Sequence, residues 1–381
     1  MNVFIACDSF KGSMTSLEAN AAVQAGLLDA DPTIHTTLLP MADGGEGTVD
    51  ALLYTLGGER VTVAVRGPLG GKVEASYGWI PETKTAIIET AAASGITLVG
   101  NDELDPWKAT SFGTGELMAH ALAHGARQMV IGLGGSATVD GGIGLLEALG
   151  VTFYDTEKQP ISGNGKGLGR IDSIDLSSLR ERFRDVEVTM ASDVTNPLLG
   201  DTGAVHVFGP QKGAKTEDLA TLEEGMASYA KVCAKAIGRD DANTAGAGAA
   251  GGIGFALQSF LSAKAMSGFS YIAEAAKLAD ILPSADLIIT GEGQMDAQSF
   301  FGKVPVALAN EAKPFNVPVI AFAGSVKGNA QQFASAGLQA VIPITNGPTS
   351  LSEAMTDGKK LLQESAERTW RLTQLFPHKH S

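Results

Sequence analysis

Apolar and polar positions alternate in two rhythms along the chain. Residues 3–7 are a short apolar run of strand type. Residues 16–30 follow with Leu17, Ala21, Ala25 and Leu28 near helical spacing. A second strand is predicted at 34–39, and a glycine-containing turn at 42–48 opens a helix that ends near 56. The far end repeats this order. Residues 286–290 are an unbroken apolar strand, 304–313 a helix, 317–323 a strand, 330–336 a helix, 340–344 a strand and 351–372 one long closing helix. Strands apolar on both faces, alternating with helices, predict a parallel sheet covered on both sides.

Between these ends the rhythm changes. From 60 to 91 strand follows strand, with turn signals at Gly67-Pro68 and Gly70-Gly71. Mixed elements come next: a helix after Gly113, a strand at 128–133, a helix at 143–149, and strands near 151–153 and 186–191. A long helix is predicted at 217–237, and Gly/Ala-rich helices at 249–263 and 270–280. The pattern predicts an α/β protein with a discontinuous, doubly wound (Rossmann-like) parallel-sheet domain made of 1–60 plus 284–381. A large α+β domain, 61–283, is inserted into it. Each terminal half has few strands, and pairing the halves into one sheet resolves that shortage.

Composition narrows the class. With 44% hydrophobic and 18% charged positions in 381 residues, the chain can build large cores and is not a disordered polyelectrolyte. Its formal net charge of −14 offers no basic footprint for nucleic acid or for an anionic membrane surface. No apolar stretch reaches the ~18 residues of a membrane span, and the run at 3–7 is too short for a secretory signal. A cytoplasmic protein without nucleic-acid or membrane partners, monomeric or homodimeric, is expected. Cys7 and Cys233 make neither a disulfide framework nor a four-ligand zinc site. His120 and His124 are four apart but lack the Glu of an H-E-x-x-H frame, and His378 and His380 fall in a tail.

Glycine changes the picture most: 47 residues, gathered in loops at predicted strand-to-helix junctions. Such loops let backbone N–H groups approach an anion at a helix N-terminus. Gly246-Ala-Gly-Ala-Ala-Gly251 matches a dinucleotide fingerprint, but no strong strand precedes it, and tight helix packing explains it as well. No P-loop or nucleophile-elbow sequence is present. Four acidic residues, Asp8, Asp43, Asp193 and Asp296, sit just beyond predicted strand ends, where open α/β sheets bind ligands. Oxygen ligands of this kind suit Mg2+ held together with phosphate. Lys11, Lys212 and Lys303 lie in Gly-rich segments and would give an acidic protein local positive charge for an anionic substrate.

Read in order, the loops resemble a known family. They are Asp-Ser-Phe-Lys-Gly-Ser (8–13), Ala-Asp-Gly-Gly-Glu-Gly-Thr (42–48), Glu-Thr-Ala-Ala-Ala-Ser-Gly (89–95) and Thr-Ser-Phe-Gly-Thr-Gly-Glu (110–116). Then come Gly-Gly-Ser-Ala-Thr (134–138) with Asp-Gly-Gly (140–142), Ser-Asp-Val-Thr-Asn-Pro-Leu (192–198) and Phe-Gly-Pro-Gln-Lys-Gly (208–213). The last are the 246–252 glycines and Thr-Gly-Glu-Gly-Gln-Met-Asp (290–296) with Gly-Lys-Val-Pro (302–305). Together, over about 1–370, they resemble the bacterial glycerate kinases that form 2-phosphoglycerate. The chain departs at Cys7, usually Pro, and at Val139, often Asn. The resemblance implies ATP-dependent phosphorylation of D-glycerate with Mg2+, on a Rossmann-like domain with a large insertion and an active site in the cleft between them.

On that basis Asp193 and Asp296 are expected to share the base and metal-ligand roles, with Lys11 as a third catalytic group. Ser9, Asp43, Gly44, Gly45 and Glu46 are expected around glycerate. Gly134, Gly135, Ser136, Lys212, Lys303 and Glu292 are expected around the nucleotide phosphates. A kinase of another small hydroxy acid, a non-catalytic hydroxy-acid sensor, and an NAD-dependent oxidoreductase using the 246–251 glycines are the alternatives.

Overall fold

The computed structural model describes residues 1–300 and 302–375, so His378 and His380 lie outside the described residues. Its strands, in chain order, are β1 (Asn2–Cys7), β2 (His35–Leu38), β3 (Glu59–Arg66), β4 (Lys72–Ile80) and β5 (Thr85–Glu89). They continue with β6 (Gln128–Gly132), β7 (Thr152–Tyr154), β8 (Ser173–Asp175), β9 (Glu187–Ala191) and β10 (Lys264–Met266). The last are β11 (Leu287–Met295), β12 (Val319–Val326) and β13 (Ala340–Pro343).

Two compact units divide the chain. The first comprises Met1–Asp43, Asp50–Leu56 and Phe269 onward; the second comprises Gly44–Val49 and Gly57–Gly268. These limits differ from the expected 60/61 and 283/284 in three ways, the first being that the second unit already resumes at Gly57, just before β3. Gly44–Val49 belongs to the second unit because its backbone is tied there: the Val49 amide donates to Glu89 Oε1 (2.8 Å). The second unit ends at Gly268 because β10 is its last strand, paired with β9, and the helices that follow lead on to β11.

The first unit holds a five-stranded sheet in the order β13-β12-β11-β1-β2, parallel throughout. Ile5 sits between Ile289 on β11 and Leu38 on β2. Val3, Ile5, Leu287, Ile289 and Phe322 are buried, as their unbroken apolar runs require. The helix Ser16–Ala30 starts at a capping box: the Glu18 amide donates to Thr15 Oγ1 and the Thr15 amide to Glu18 Oε2. It buries Ala19, Val23 and Leu27 in the same core as Leu362, Ala366 and Trp370 of the helix Gly358–Thr373.

The second unit holds a mixed six-stranded sheet, β10-β9-β6-β5-β4-β3, parallel from β10 to β5 and antiparallel from β5 to β3. The doubly wound parallel sheet and the strand-rich second unit agree with the predicted fold class.

Element boundaries differ where backbone chemistry overrides pattern. The closing helix is two helices, Leu351–Thr356 and Gly358–Thr373, because Asp357 leaves helical geometry (φ −92°, ψ 8°). The expected 270–280 helix breaks at Lys277, which is left-handed at φ 52°. The 249–263 helix kinks at left-handed Ala250 and Gly251 before Ile253–Leu261. The short strands β8 and β10 carry too few apolar positions to show a period. Among the described residues, no helix is long and apolar enough to cross a membrane.

Candidate active site

In the first sheet β1 and β11 are neighbours, but their connections leave in opposite directions: β1 leads outward to β2, β11 outward to β12 and β13. This is the order of a flavodoxin-type doubly wound sheet. Its switch point opens a crevice at the carboxyl ends of the two central strands. A cavity of about 380 Å3 lies there. Its charged lining comes from the chain after β1 (Asp8, Lys11), from Asp43, and from Glu292 and Lys303. Its apolar lining comes from Phe10, from Ile344 just after β13, and from Leu351 and Met355 of the helix Leu351–Thr356.

Asp8 is 6% exposed. The Ser9 amide donates to its Oδ1 (2.6 Å), and its own amide extends the β1–β11 ladder by donating to the Gly291 carbonyl (2.9 Å). Burial, and then the charge of Asp43, push the Asp8 carboxyl up to about 8; the Ser9 amide and Lys11 oppose this. Lys11 Nζ reaches Asp43 Oδ2 at 3.0 Å from an exposed stem. Glu292, also buried, accepts from Ser299 Oγ (2.7 Å) and Lys303 Nζ (3.0 Å). Burial raises its carboxyl, and Ser299 and Lys303 pull it back.

Glu292 lies inside β11 because that strand runs five residues past the expected end at 290. Its pairing with β12 continues through Gln294–Ser325 and Met295–Val326. The extension also moves Asp296 past the cavity, and it is not among the lining residues. Its Oδ2 accepts from Gln294 Nε2 (2.6 Å), and its amide donates to Ser299 Oγ (3.1 Å). The structure therefore gathers Asp8, Ser9, Lys11, Asp43, Glu292 and Lys303, and leaves Asp296 outside.

The second unit collects the other expected residues at the carboxyl ends of its parallel strands. Gly134, just after β6, packs on Gly45 so closely that a Cβ there would meet Gly45 Cα at 2.5 Å. A Cβ on Gly44 would likewise meet the Ala191 carbonyl oxygen, at the end of β9, at 2.7 Å, and Asp193 follows two residues later. Glu46 is exposed in the same loop.

Lys212, expected at the nucleotide phosphates, is instead 2% exposed. Its ammonium donates to Ser136 Oγ (2.7 Å) and to the Thr138 carbonyl (2.8 Å), so it braces the loop that carries Gly135 and Ser136. Burial pulls its pKa down to about 7, against the nearby charge of Asp140. The neutral amine still has two hydrogens for these two acceptors.

Two other motifs have partners within their own unit. Gly251, at φ 69°, packs directly on the Thr138 carbonyl, and its own carbonyl accepts from the Gly141 amide, so the 246–251 glycines serve backbone packing. His120 and His124 both bring Nδ1 to Tyr77 Oη, at 3.1 and 3.0 Å. Among the described residues, no group of three or more His, Cys, Asp or Glu is preassembled to hold a metal.

The buried Asp8 carboxylate gives a stability prediction. Its pKa is higher in the folded chain than in an unfolded one, so its stabilising contribution is complete below pH ~4 and is lost as pH rises through about 8. Asp8→Asn keeps an acceptor for the Ser9 amide and removes the charge. The variant should melt several degrees above wild type at pH 9 and near it at pH 4, read as Tm by calorimetry.

Carboxylates and lysines at the switch point of a doubly wound sheet lie where α/β proteins of this architecture bind ligands. The comparisons with known proteins make this specific. Residues 3–374 match the glycerate kinase family. The chain is 43% identical to the glycerate 2-kinase of Escherichia coli K12 over 93% of both chains. It is 42% identical to the glycerate kinase of Bacillus subtilis 168 over 96% of both. A solved structure, a candidate glycerate kinase 2 from Salmonella typhimurium LT2, superposes with a TM-score of 0.87 at 41% identity over 98% of both chains. The chain belongs to the glycerate kinase family, and it is a kinase.

Proposed function

We propose that the protein phosphorylates the 2-hydroxyl of D-glycerate with ATP, giving 2-phosphoglycerate and ADP, as a cytoplasmic enzyme. The observation that carries this reading is the cluster of Asp8, Lys11, Asp43, Glu292 and Lys303 around one cavity at the switch point of the sheet. Family membership supports the substrate. Phosphoryl transfer asks mainly for in-line positioning and for stabilisation of charge on the transferred group. Lys11 and Lys303 supply positive charge for phosphate and carboxylate oxygens. Asp8, the most buried carboxylate facing the cavity apart from Glu292, is proposed to orient the attacking hydroxyl and take its proton, in place of Asp296.

The donor set also fits Mg2+. Asp43 and Glu292 offer hard oxygens at the same cavity, and the ion's usual protein share is one or two carboxylates, with phosphate oxygens and waters completing the shell. When bound, the ion neutralises charge on the nucleotide phosphates. In the second unit, Gly134, Gly135 and Ser136 are proposed to offer amides and a hydroxyl to an anion, together with Gly44 and Gly45. Asp193 is kept as a further acidic candidate there.

The test is ATP consumption over a panel of three- and four-carbon hydroxy acids, with the product identified by NMR. Turnover with D-glycerate to the 2-phosphate is expected, abolished by EDTA and restored by Mg2+ or Mn2+. Preference for another hydroxy acid would reassign the substrate. Binding without turnover would make the protein a sensor, and full activity in metal-free buffer would remove Mg2+ from the account.

A further inference from the structure

The cavity is built for more than a three-carbon acid. Its lining runs from Asp8 beside β1, past Glu292 on β11 and Ser325 on β12, to Ile344 beyond β13. That is three strand spacings, or about 14 Å at the usual interstrand distance. Along this length the chemistry changes. The β1–β11 end carries three carboxylates and two lysines, whereas the β13 end carries Ile344, Leu351, Ala354 and Met355. D-glycerate has no apolar surface to cover the second end. A volume of about 380 Å3 lies within the range of sites that enclose drug-sized ligands, which are mostly apolar with a few polar groups fixing orientation.

Leu351 marks the same end from the outside. It is 76% exposed although it lines the cavity, and it stands at the first position of a helix held by its own capping box (Ser350 with Glu353). The Ser13 hydroxyl donates to the Met355 carbonyl (2.6 Å), so this short helix is fastened to the loop after β1 that carries Lys11. An apolar wall is thus fixed beside the charged end.

From this lining we infer that the first unit binds the nucleotide itself: the adenine base lies against Ile344, Leu351 and Met355, and its phosphates run toward Lys11 and Lys303. The glycine-rich loops of the second unit are then not the nucleoside site. The inference rests on the proposed reaction only in taking ATP as the donor.

Leu351→Glu places a carboxylate on this wall without touching the core. Removing one leucine contact from a bound base should raise the Kd for Mg–ADP by about tenfold or more in titration calorimetry. The KM for D-glycerate should stay within about twofold. Leu372→Glu, exposed on the helix Gly358–Thr373, should leave both values unchanged. Photolabelling of the wild-type protein with 8-azido-ATP should modify peptides within 344–355, and excess ATP should protect them. An unchanged ADP affinity in Leu351→Glu, or ATP-protected label on 132–138 or 246–252, would overturn the inference. A wild-type protein that binds ADP at 344–355 but does not turn over D-glycerate would refute the proposed reaction and leave this site standing.

Discussion

Asp8→Asn should lower kcat by about 10²–10⁴ while leaving KM for D-glycerate and ATP within a few fold, because a proton acceptor acts in the transition state and not in substrate binding. The same variant should be more stable than wild type at high pH, since it removes a buried charge held beside Asp43. Loss of rate together with a gain in Tm cannot come from misfolding. As the proposed proton acceptor, Asp8 should also set the pH profile. With its carboxyl pushed up to about 8, the free enzyme holds it largely protonated at pH 7. Wild-type kcat/KM for glycerate should therefore rise with pH through that region, and the rise should vanish in Asp8→Asn. Asp296→Asn should be much milder, since that carboxylate is held by Gln294 away from the cavity lining. Asp240→Asn, in an exposed turn, should be silent. A kcat in Asp8→Asn above about a tenth of wild type falls outside the range expected of a base, and Asp193→Asn would then be examined as the alternative.

Asp140→Ala should be the most damaging single change to the second unit. Asp140 is fully buried, and four donors converge on its carboxylate. The Ser111 amide and hydroxyl reach Oδ2 at 2.7 Å each, the Gly142 amide reaches Oδ1 at 3.0 Å, and the Gly144 amide reaches Oδ2 at 3.3 Å. Burial raises its carboxyl pKa, and these donors oppose the rise. Truncation strands four buried donors and removes the Asp140 charge that opposes the fall of the Lys212 pKa. Hydrogen bonds to charged groups and stranded buried partners together put the cost at roughly 3–5 kcal/mol. That is a Tm drop on the order of 10 °C for a unit of this size. Asp140→Asn, which keeps one acceptor oxygen, should lose less. A Tm change under about 2 °C in Asp140→Ala would show that the network is dispensable.

The parallel sheet was legible because β1, β11 and β12 are buried on both faces, so their apolar runs are continuous. The strand-rich middle was legible because the alternation and turn pairs at 60–91 have a period of two. The sequence pattern failed where one backbone angle decides the outcome: at Asp357, Lys277 and Ala250, a single residue leaves helical geometry inside an otherwise helical pattern. It failed again at the end of β11. Gly291-Glu-Gly-Gln reads as a loop, yet the β12 ladder holds it as strand and carries Glu292 to the cavity. Charge type and loop position were enough to single out Lys11, Asp43 and Lys303. They could not separate a lysine lining the cavity from Lys212, whose acceptors come from a loop more than seventy residues away in sequence. Asp8 carried a signal too, as an acid directly after a buried strand. Its burial depends on long-range packing that local sequence does not encode.

The proposed reaction is tested by a crystal structure of the protein with D-glycerate, Mg2+ and a non-hydrolysable ATP analogue. The terminal phosphate and the glycerate 2-hydroxyl should lie at the β1–β11 end of the cavity. The hydroxyl should lie within hydrogen-bonding distance of Asp8, and the ion should be on Asp43 or Glu292. Density for the triphosphate and glycerate with none of these carboxylates in contact would contradict it.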